Sequence, residues 1–208
     1  ALPWTPEAQV PRPAACRWCG AAEAAFRCPS CGSRRLRAVS VGAARTAEEL
    51  GRAFSNVPVR TSHGDEALDV VAGEPALVVA TPGAEPIAEG GYGAALLLDG
   101  RKMLDRPQLR ASEQALRRWF AAAALVRPAA EGGRVVILAD SELQPVQALV
   151  RWDPRWFAEQ ELAGRVELGF PPAKRVAAVD GSPDAVADLL DVAELPDSAE
   201  VLGPVPRD

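Results

Sequence analysis

Four cysteines fall within sixteen positions as Cys16-Arg-Trp-Cys19 and Cys28-Pro-Ser-Cys31, each pair followed by glycine, and none occurs elsewhere in the 208 residues. This spacing constrains the N-terminal part of the chain more than any other feature. A two-residue spacer lets two thiolates converge on one ion, and Gly20 and Gly32 permit the tight turn behind each pair. Cys16, Cys19, Cys28 and Cys31 are therefore the candidate ligands of a tetrahedral Zn²⁺. The interval of eight residues between the pairs is shorter than the usual zinc-ribbon interval, so a single shared ion is one reading and not the only one. A redox dithiol is the rival, but a thioredoxin-like motif occurs once and beside a βαβ unit. Disulfides are disfavoured in a chain that shows no secretory leader. Closed four-thiolate coordination leaves no position for substrate, so the expected role is structural and no catalytic residue is assigned.

The same region carries the charge asymmetry of the chain. Residues 1–38 hold six arginines against Glu7 and Glu23, a local charge of +4 inside a chain of net charge −5. A wholly basic nucleic-acid binder is excluded, whereas a local basic patch is not. Arg17, Trp18, Arg34, Arg35 and Arg37 are the candidate nucleic-acid contacts; Trp18 serves equally as packing on the zinc site. With 48% apolar and 25% charged residues the chain is too hydrophobic for general disorder. The longest apolar stretch, Phe120 to Val126, is far short of a membrane span. A cytoplasmic location without membrane contact is the expectation. The first residue is Ala rather than Met, which suggests a fragment or a processed product.

Beyond the cysteines the pattern alternates between strand and helix, and such βα alternation predicts an α/β fold with a mainly parallel sheet flanked by helices. Arg37 to Val41 reads as a short strand. Thr46-Ala-Glu-Glu49 reads as a capping box opening a helix through Phe54. Val57 to Arg60, Ala76 to Ala80, Ala94 to Leu98 and Val135 to Leu138 read as strands, the polar-free runs among them as strands covered on both faces. A helix is expected from Pro107 to Arg127, with Leu109, Leu116, Trp119, Phe120 and Ala123 on its apolar face. Ser141-x-x-Gln144 is expected to cap the next helix, to about Arg151. Asp153-Pro154 opens a third, stopped at Gly169. After Phe170-Pro-Pro172, a strand at Lys174 to Val179, a helix from Ser182-Pro183 to about Val192 and a strand at Glu200 to Leu202 form a small βαβ tail.

Other features are weaker. His63 is the only histidine and reads as a surface-loop residue. Gly90-Gly-Tyr-Gly93 lacks the G-K-[ST] of a phosphate loop and reads as a turn between strands. Glu48 and Glu49, and Asp65, Glu66 and Asp69, read as acids near helix starts. Trp119 and Phe120 read as core residues.

Taken in order, the motifs resemble a known family. Cys16-Arg-Trp-Cys19-Gly, Phe26-Arg-Cys28-Pro-Ser-Cys31-Gly-Ser33 and Leu36, then Gly42-Ala-Ala-Arg45-Thr46-Ala-Glu-Glu49-Leu50 and Phe54, resemble the second half of PriA-type primosomal replication-restart helicases. Arg110-Ala-Ser-Glu113, Gly133-Arg-Val-Val136, Glu161 to Pro172 and Val201-Leu-Gly-Pro204 resemble further stretches of that family in the same order. The resemblance spans nearly the whole chain. It implies part of a zinc-binding region at 1–37, a second RecA-like helicase lobe at 38–164, and the start of an α+β C-terminal domain at 165–208.

The departures from the family pattern bear on activity. Where the family has G-T-Q-M-x-x-K-G, this chain has Ala80-Thr81-Pro82-Gly83 and then Ile87-Ala-Glu89-Gly90, with Glu89 in place of the lysine. At the arginine-finger positions of the final helicase motif stand Leu125 and Pro128, with Arg127 alone nearby. Arginine fingers contribute about 10³–10⁵ in rate, so the resemblance implies a degenerate, actinobacterial-like branch that keeps the fold without ATP turnover. The family binds two zinc ions with four C-x-x-C pairs. Carried over literally, the two pairs here belong to different ions, each completed by cysteines upstream of Ala1. The implied function is a DNA-binding, zinc-containing replication-restart protein acting on forked or single-stranded DNA with other primosome proteins, ATP entering through an upstream lobe. The alternatives are an active ATP-dependent 3′-to-5′ helicase and an unrelated zinc-ribbon interaction protein.

Overall fold

The computed structural model describes residues 14–15, 22–23, 25–34, 42–203 and 205. The strand expected at 37–41 lies outside these. The chain divides into two compact units, Ala1–Ala158 and Glu159–Asp208.

In the first unit, β1 (Ala14–Ala15) and β2 (Ala22–Glu23) form a short antiparallel ladder. Then follow α1 (Ala43–Ala53), β3 (Val59–Ser62), β4 (Val70–Val71), β5 (Leu77–Ala80), β6 (Ile87–Ala88) and β7 (Ala94–Leu97). Next come the short α2 (Gly100–Leu104), α3 (Ala111–Ala124), a 3-10 turn at Ala129–Glu131, β8 (Arg134–Ile137) and α4 (Gln144–Arg151). Three parallel pairs carry the α/β character: β3 with β5, β4 with β6, and β7 with β8. They are separate two-stranded ladders among the described residues, so the single parallel sheet expected from the alternation is not formed. β4 and β6 are only two residues long and carry no sequence period, which is why they were not foreseen.

The core lies where α3, α4 and the start of the next helix meet. Ala115, Leu116, Trp119 and Ala123 of α3 pack with Val146, Ala148, Leu149 and Phe157, and Leu97, Met103 and Ile137 close over them. Trp119 retains 2% exposure, and Phe120 is half-buried. β7 and β8 turn Leu97 and Ile137 to this core and leave Leu96, Leu98, Val136 and Leu138 exposed on the other face. Of the polar-free strands expected to be covered on both sides, β7 alternates exposed and half-buried residues among the described residues, whereas all four residues of β5 are half-buried.

Helix starts differ from expectation at α1, α3 and α4. α1 begins at Ala43, so Thr46 lies inside it and its hydroxyl donates to the Gly42 carbonyl at 3.3 Å instead of capping an N–H. Glu49 pairs with Arg45 at 3.1 Å and Glu48 with Arg52 at 3.5 Å, so both acids are mid-helix partners rather than helix-start charges. α3 starts at Ala111 and ends at Ala124; α2 ends at Leu104, and bends and a turn occupy residues 105–110 where the helix was expected to begin. At α4 no side chain caps the first turn; Ser141 instead accepts from Gln147 Nε2 through its carbonyl at 2.5 Å.

The helix α5 (Pro154–Leu168) runs from the first unit into the second. The Asp153 carboxylate accepts the Trp156 N–H at 2.9 Å, and Gly169, at φ 68°, stops the helix. In the second unit α6 (Pro183–Val192) is capped by Ser182, whose hydroxyl accepts the Ala185 N–H at 3.3 Å. The strands expected at 174–179 and 200–202 are not formed. An extended segment becomes a strand only by pairing its backbone, and no described residues pair with either.

Candidate functional site

Only half of the cysteine motif lies within the described residues. Cys28 and Cys31 are free thiols on a tight turn: the Gly32 N–H donates to the Cys28 carbonyl at 2.8 Å, and the Cys28 N–H donates to the Ser33 carbonyl at 2.9 Å. Gly32 sits at φ 68°, a conformation a side chain would strain. The backbone N–H groups of Cys31 and Ser30 lie on the Cys28 sulfur and hold its thiol below the ordinary thiol range. Thiolate is the form that binds a metal, so this turn fits one half of a tetrahedral thiolate site. Cys16 and Cys19 lie outside the described residues, as do Arg17, Trp18, Arg35 and Arg37. No group of three or more metal-ligating side chains exists among the described residues. Arg34 is exposed, three positions beyond Cys31.

A second set of residues gathers beyond the C-terminal ends of the parallel strands, where open α/β sheets present their loops. Its hub is Ser62, the last residue of β3, with 0% exposure. Its hydroxyl donates to the Ala84 carbonyl at 2.5 Å and accepts the Leu68 N–H at 2.9 Å, tying the β3–β4 and β5–β6 connections together. Sequence reasoning missed Ser62, because a serine ending a strand looks the same whether buried or exposed. After β5 the chain turns through Thr81-Pro82-Gly83, where the Gly83 N–H donates to the Glu85 carboxylate at 2.8 Å. Gly83 has φ 95°, and the guanidinium of Arg118 occupies the space a Cβ would take. The backbone conformation favours glycine there, whereas the guanidinium, the end of a flexible side chain, can move aside. Pro86 is fully buried, and its carbonyl accepts the Tyr92 hydroxyl at 2.8 Å. Burial pushes the Tyr92 pKa up, and the charge of Glu85 adds to the effect.

Gly90 and Gly91, both at positive φ, form the turn between β6 and β7, as the sequence implied. Glu89 is exposed, and its N–H donates to the Val71 carbonyl at 3.0 Å. Tyr92 bridges Val126 in parallel, with the Tyr92 N–H on the Leu125 carbonyl at 3.0 Å and the Arg127 N–H on the Tyr92 carbonyl at 2.9 Å. The side chain of Arg127 lies across Gly91 and Gly93, so a Cβ at either glycine would meet it. Leu125 is half-buried at the end of α3, and Pro128 opens the 3-10 turn. His63 is partly exposed with Nε2 4.0 Å from a Glu66 carboxylate oxygen, a surface pair.

In the second unit, the stretch Glu161 to Pro172 is a structural lock. Arg165 retains 5% exposure, donates to Glu161 Oε2 at 3.1 Å one turn earlier, and reaches the Pro171 carbonyl at 3.0 Å. The Pro171–Pro172 peptide is cis. No helix among the described residues is long and apolar enough to cross a membrane.

Comparison with known proteins gives these stretches a context. A family model described as the primosomal protein N C-terminal domain matches residues 166–208. A Mycobacterium leprae protein named "Probable replication restart protein PriA" is 58% identical over 190 residues, covering 91% of this chain and 29% of the relative. A Mycobacterium tuberculosis protein of the same name is 56% identical over 196 residues, covering 92% of this chain and 30% of the relative. The chain thus spans less than a third of the length of the curated relatives it matches. More than half identity over nine-tenths of its residues, with the C-terminal domain match at its end, shows that the chain belongs to the PriA-type primosomal protein family.

Proposed function

We propose that this chain is part of a zinc-containing, DNA-binding replication-restart protein that does not itself unwind DNA. Family membership sets aside the unrelated zinc-ribbon reading. The observation that carries the proposal is the content of the arginine-finger stretch. Leu125 is packed at the end of α3, Pro128 has no charged group, and Arg127 is laid over Gly91 and Gly93. Residues 38–164 act on this reading as a degenerate RecA-like lobe and residues 1–37 as part of a zinc-binding region. Residues 165–208 begin the C-terminal domain. The Cys28–Cys31 turn, with its backbone N–H groups on sulfur, supports a structural Zn²⁺ completed by cysteines outside the described residues. Zn²⁺ there would supply cross-linking and no chemistry. DNA is the partner that suits Arg17, Trp18, Arg34, Arg35 and Arg37, together with other primosome proteins.

DNA-stimulated ATP hydrolysis by the full-length protein tests the reading, with no turnover above background expected. Turnover of about 1 s⁻¹ or faster, in the range of ordinary enzymes, would refute it and favour the ATP-dependent helicase. In that case Arg127→Ala should abolish the activity, since Arg127 is the one arginine beside the finger positions. Charge reversal at Arg34 and Arg35 should weaken DNA binding and flatten its salt dependence, each lost phosphate contact lowering the slope by about 0.9.

A further inference from the structure

The sequence holds five tryptophans, and four of them follow an arginine: Arg17-Trp18, Arg118-Trp119, Arg151-Trp152 and Arg155-Trp156. The last two pairs flank the corner between α4 and α5, and their environments differ sharply from that of Trp119. Trp152 is 57% exposed, although a ring of this size is ordinarily an anchor of a core or an interface. It occupies the left-handed region at φ 57°, ψ 38°, and no other non-glycine residue among those described has positive φ. Its N–H donates to the Leu149 carbonyl at 3.1 Å and the Asp153 N–H to the Ala148 carbonyl at 2.9 Å, a helix end that glycine ordinarily makes. A bulky residue held in a glycine conformation with its ring in solvent is the kind of outlier that marks a function.

The ring is nevertheless fixed. Its edge contact with Phe120, at 4.7 Å between centroids and 79° between planes, orients it and leaves much of its surface open. Arg151, next to Trp152 in sequence, is exposed with its guanidinium 5.2 Å from the centre of the Trp156 ring. Arg155 is exposed on the first turn of α5. Asp153 at the corner is engaged as the helix cap by the Trp156 N–H. An open indole face preceded in sequence by an exposed arginine suits a base and a flanking phosphate.

We infer that the α4–α5 corner is a stacking platform for single-stranded nucleic acid, Trp152 taking an unpaired base and Arg151 a flanking phosphate. The inference rests on the DNA-binding reading above but assigns a site far in sequence from the cysteine region. Trp152→Gly is the informative variant, because glycine favours the left-handed conformation and the turn is retained while the ring is lost.

The test is anisotropy titration of the full-length protein with a labelled oligothymidylate, alongside thermal melting. Trp152→Gly should weaken binding about tenfold, within the range of one lost base–aromatic stack, while Trp152→Phe stays within about threefold and the melting temperature of neither falls. Bromouracil photocrosslinking of the unaltered protein should give an adduct on Trp152. Unchanged binding by Trp152→Gly, or no adduct on Trp152, overturns the platform; if reversal at Arg34 and Arg35 still weakens binding, the DNA-binding reading stands without the corner. No oligothymidylate binding by the unaltered protein overturns both.

Discussion

Arg165→Met removes a buried charge while keeping an unbranched apolar stem of similar length, so the change isolates the polar contacts from packing. The guanidinium's charge-assisted hydrogen bonds include one of 3.1 Å to Glu161 and one of 3.0 Å to the Pro171 carbonyl. Such bonds contribute roughly 1.5–3 kcal/mol each. The Glu161 side chain keeps 28% exposure, so water recovers much of what its carboxylate loses, and that bond is discounted to about 1 kcal/mol. The Pro171 carbonyl retains no substitute donor from a methionine, so its share stays near 2 kcal/mol. The expected loss is about 2–4 kcal/mol. Native domains carry roughly 0.05–0.15 kcal/mol per residue, so for a unit the size of Glu159–Asp208 the loss rivals the whole of its stability. Amide hydrogen exchange reads this locally. The Phe170 N–H, bonded to the Arg165 carbonyl at 2.8 Å, and the Lys174 N–H, bonded to the Phe170 carbonyl at 3.2 Å, should lose most of their protection. Glu161→Gln keeps a hydrogen-bond acceptor and should cost less than half as much. Protection at Phe170 unchanged within about 0.5 kcal/mol in Arg165→Met would show that the turn is held by something other than this lock.

Trp119→Ala should cost about 3–5 kcal/mol, as large-to-small changes in a packed core do. A fall in the melting temperature of less than a degree would contradict the placement of Trp119 at the centre of the α3–α4 core. If the cysteine turn holds zinc, Cys28→Ser in the full-length protein should lower the zinc content by one ion and leave the α/β body folded. Metal analysis that finds no zinc in the unaltered protein would remove the metal reading.

Much of the fold was legible because periodicity and punctuation are local. Leu77–Ala80, Ala94–Leu97 and Arg134–Ile137 are strands within a residue of the apolar runs that announced them. Gly169 stops α5 through its positive-φ backbone and Ser182 starts α6 through its hydroxyl, both short-range devices. Trp119 could be put in the core because Leu116 and Ala123 share its helical face. The family was legible too, since short motifs kept in order survive where no single one is decisive.

What tertiary structure alone decided has a common physical cause: it depends on which groups are brought together, and burial has no sequence period of its own. Thr46 is a competent helix cap by type, yet the helix begins one turn earlier and its hydroxyl is turned to Gly42. Ser62 and Ser182 are the same residue, but one is a fully buried junction between two loops and the other a surface cap. The segment at 174–179 has strand composition and no strand partner among the described residues, so no strand forms there. Arg118 and Arg165 read as ordinary helical charges. Only the fold lays the first over Gly83 and buries the second between Glu161 and Pro171, because the partner of a charge lies across a turn that the sequence does not measure.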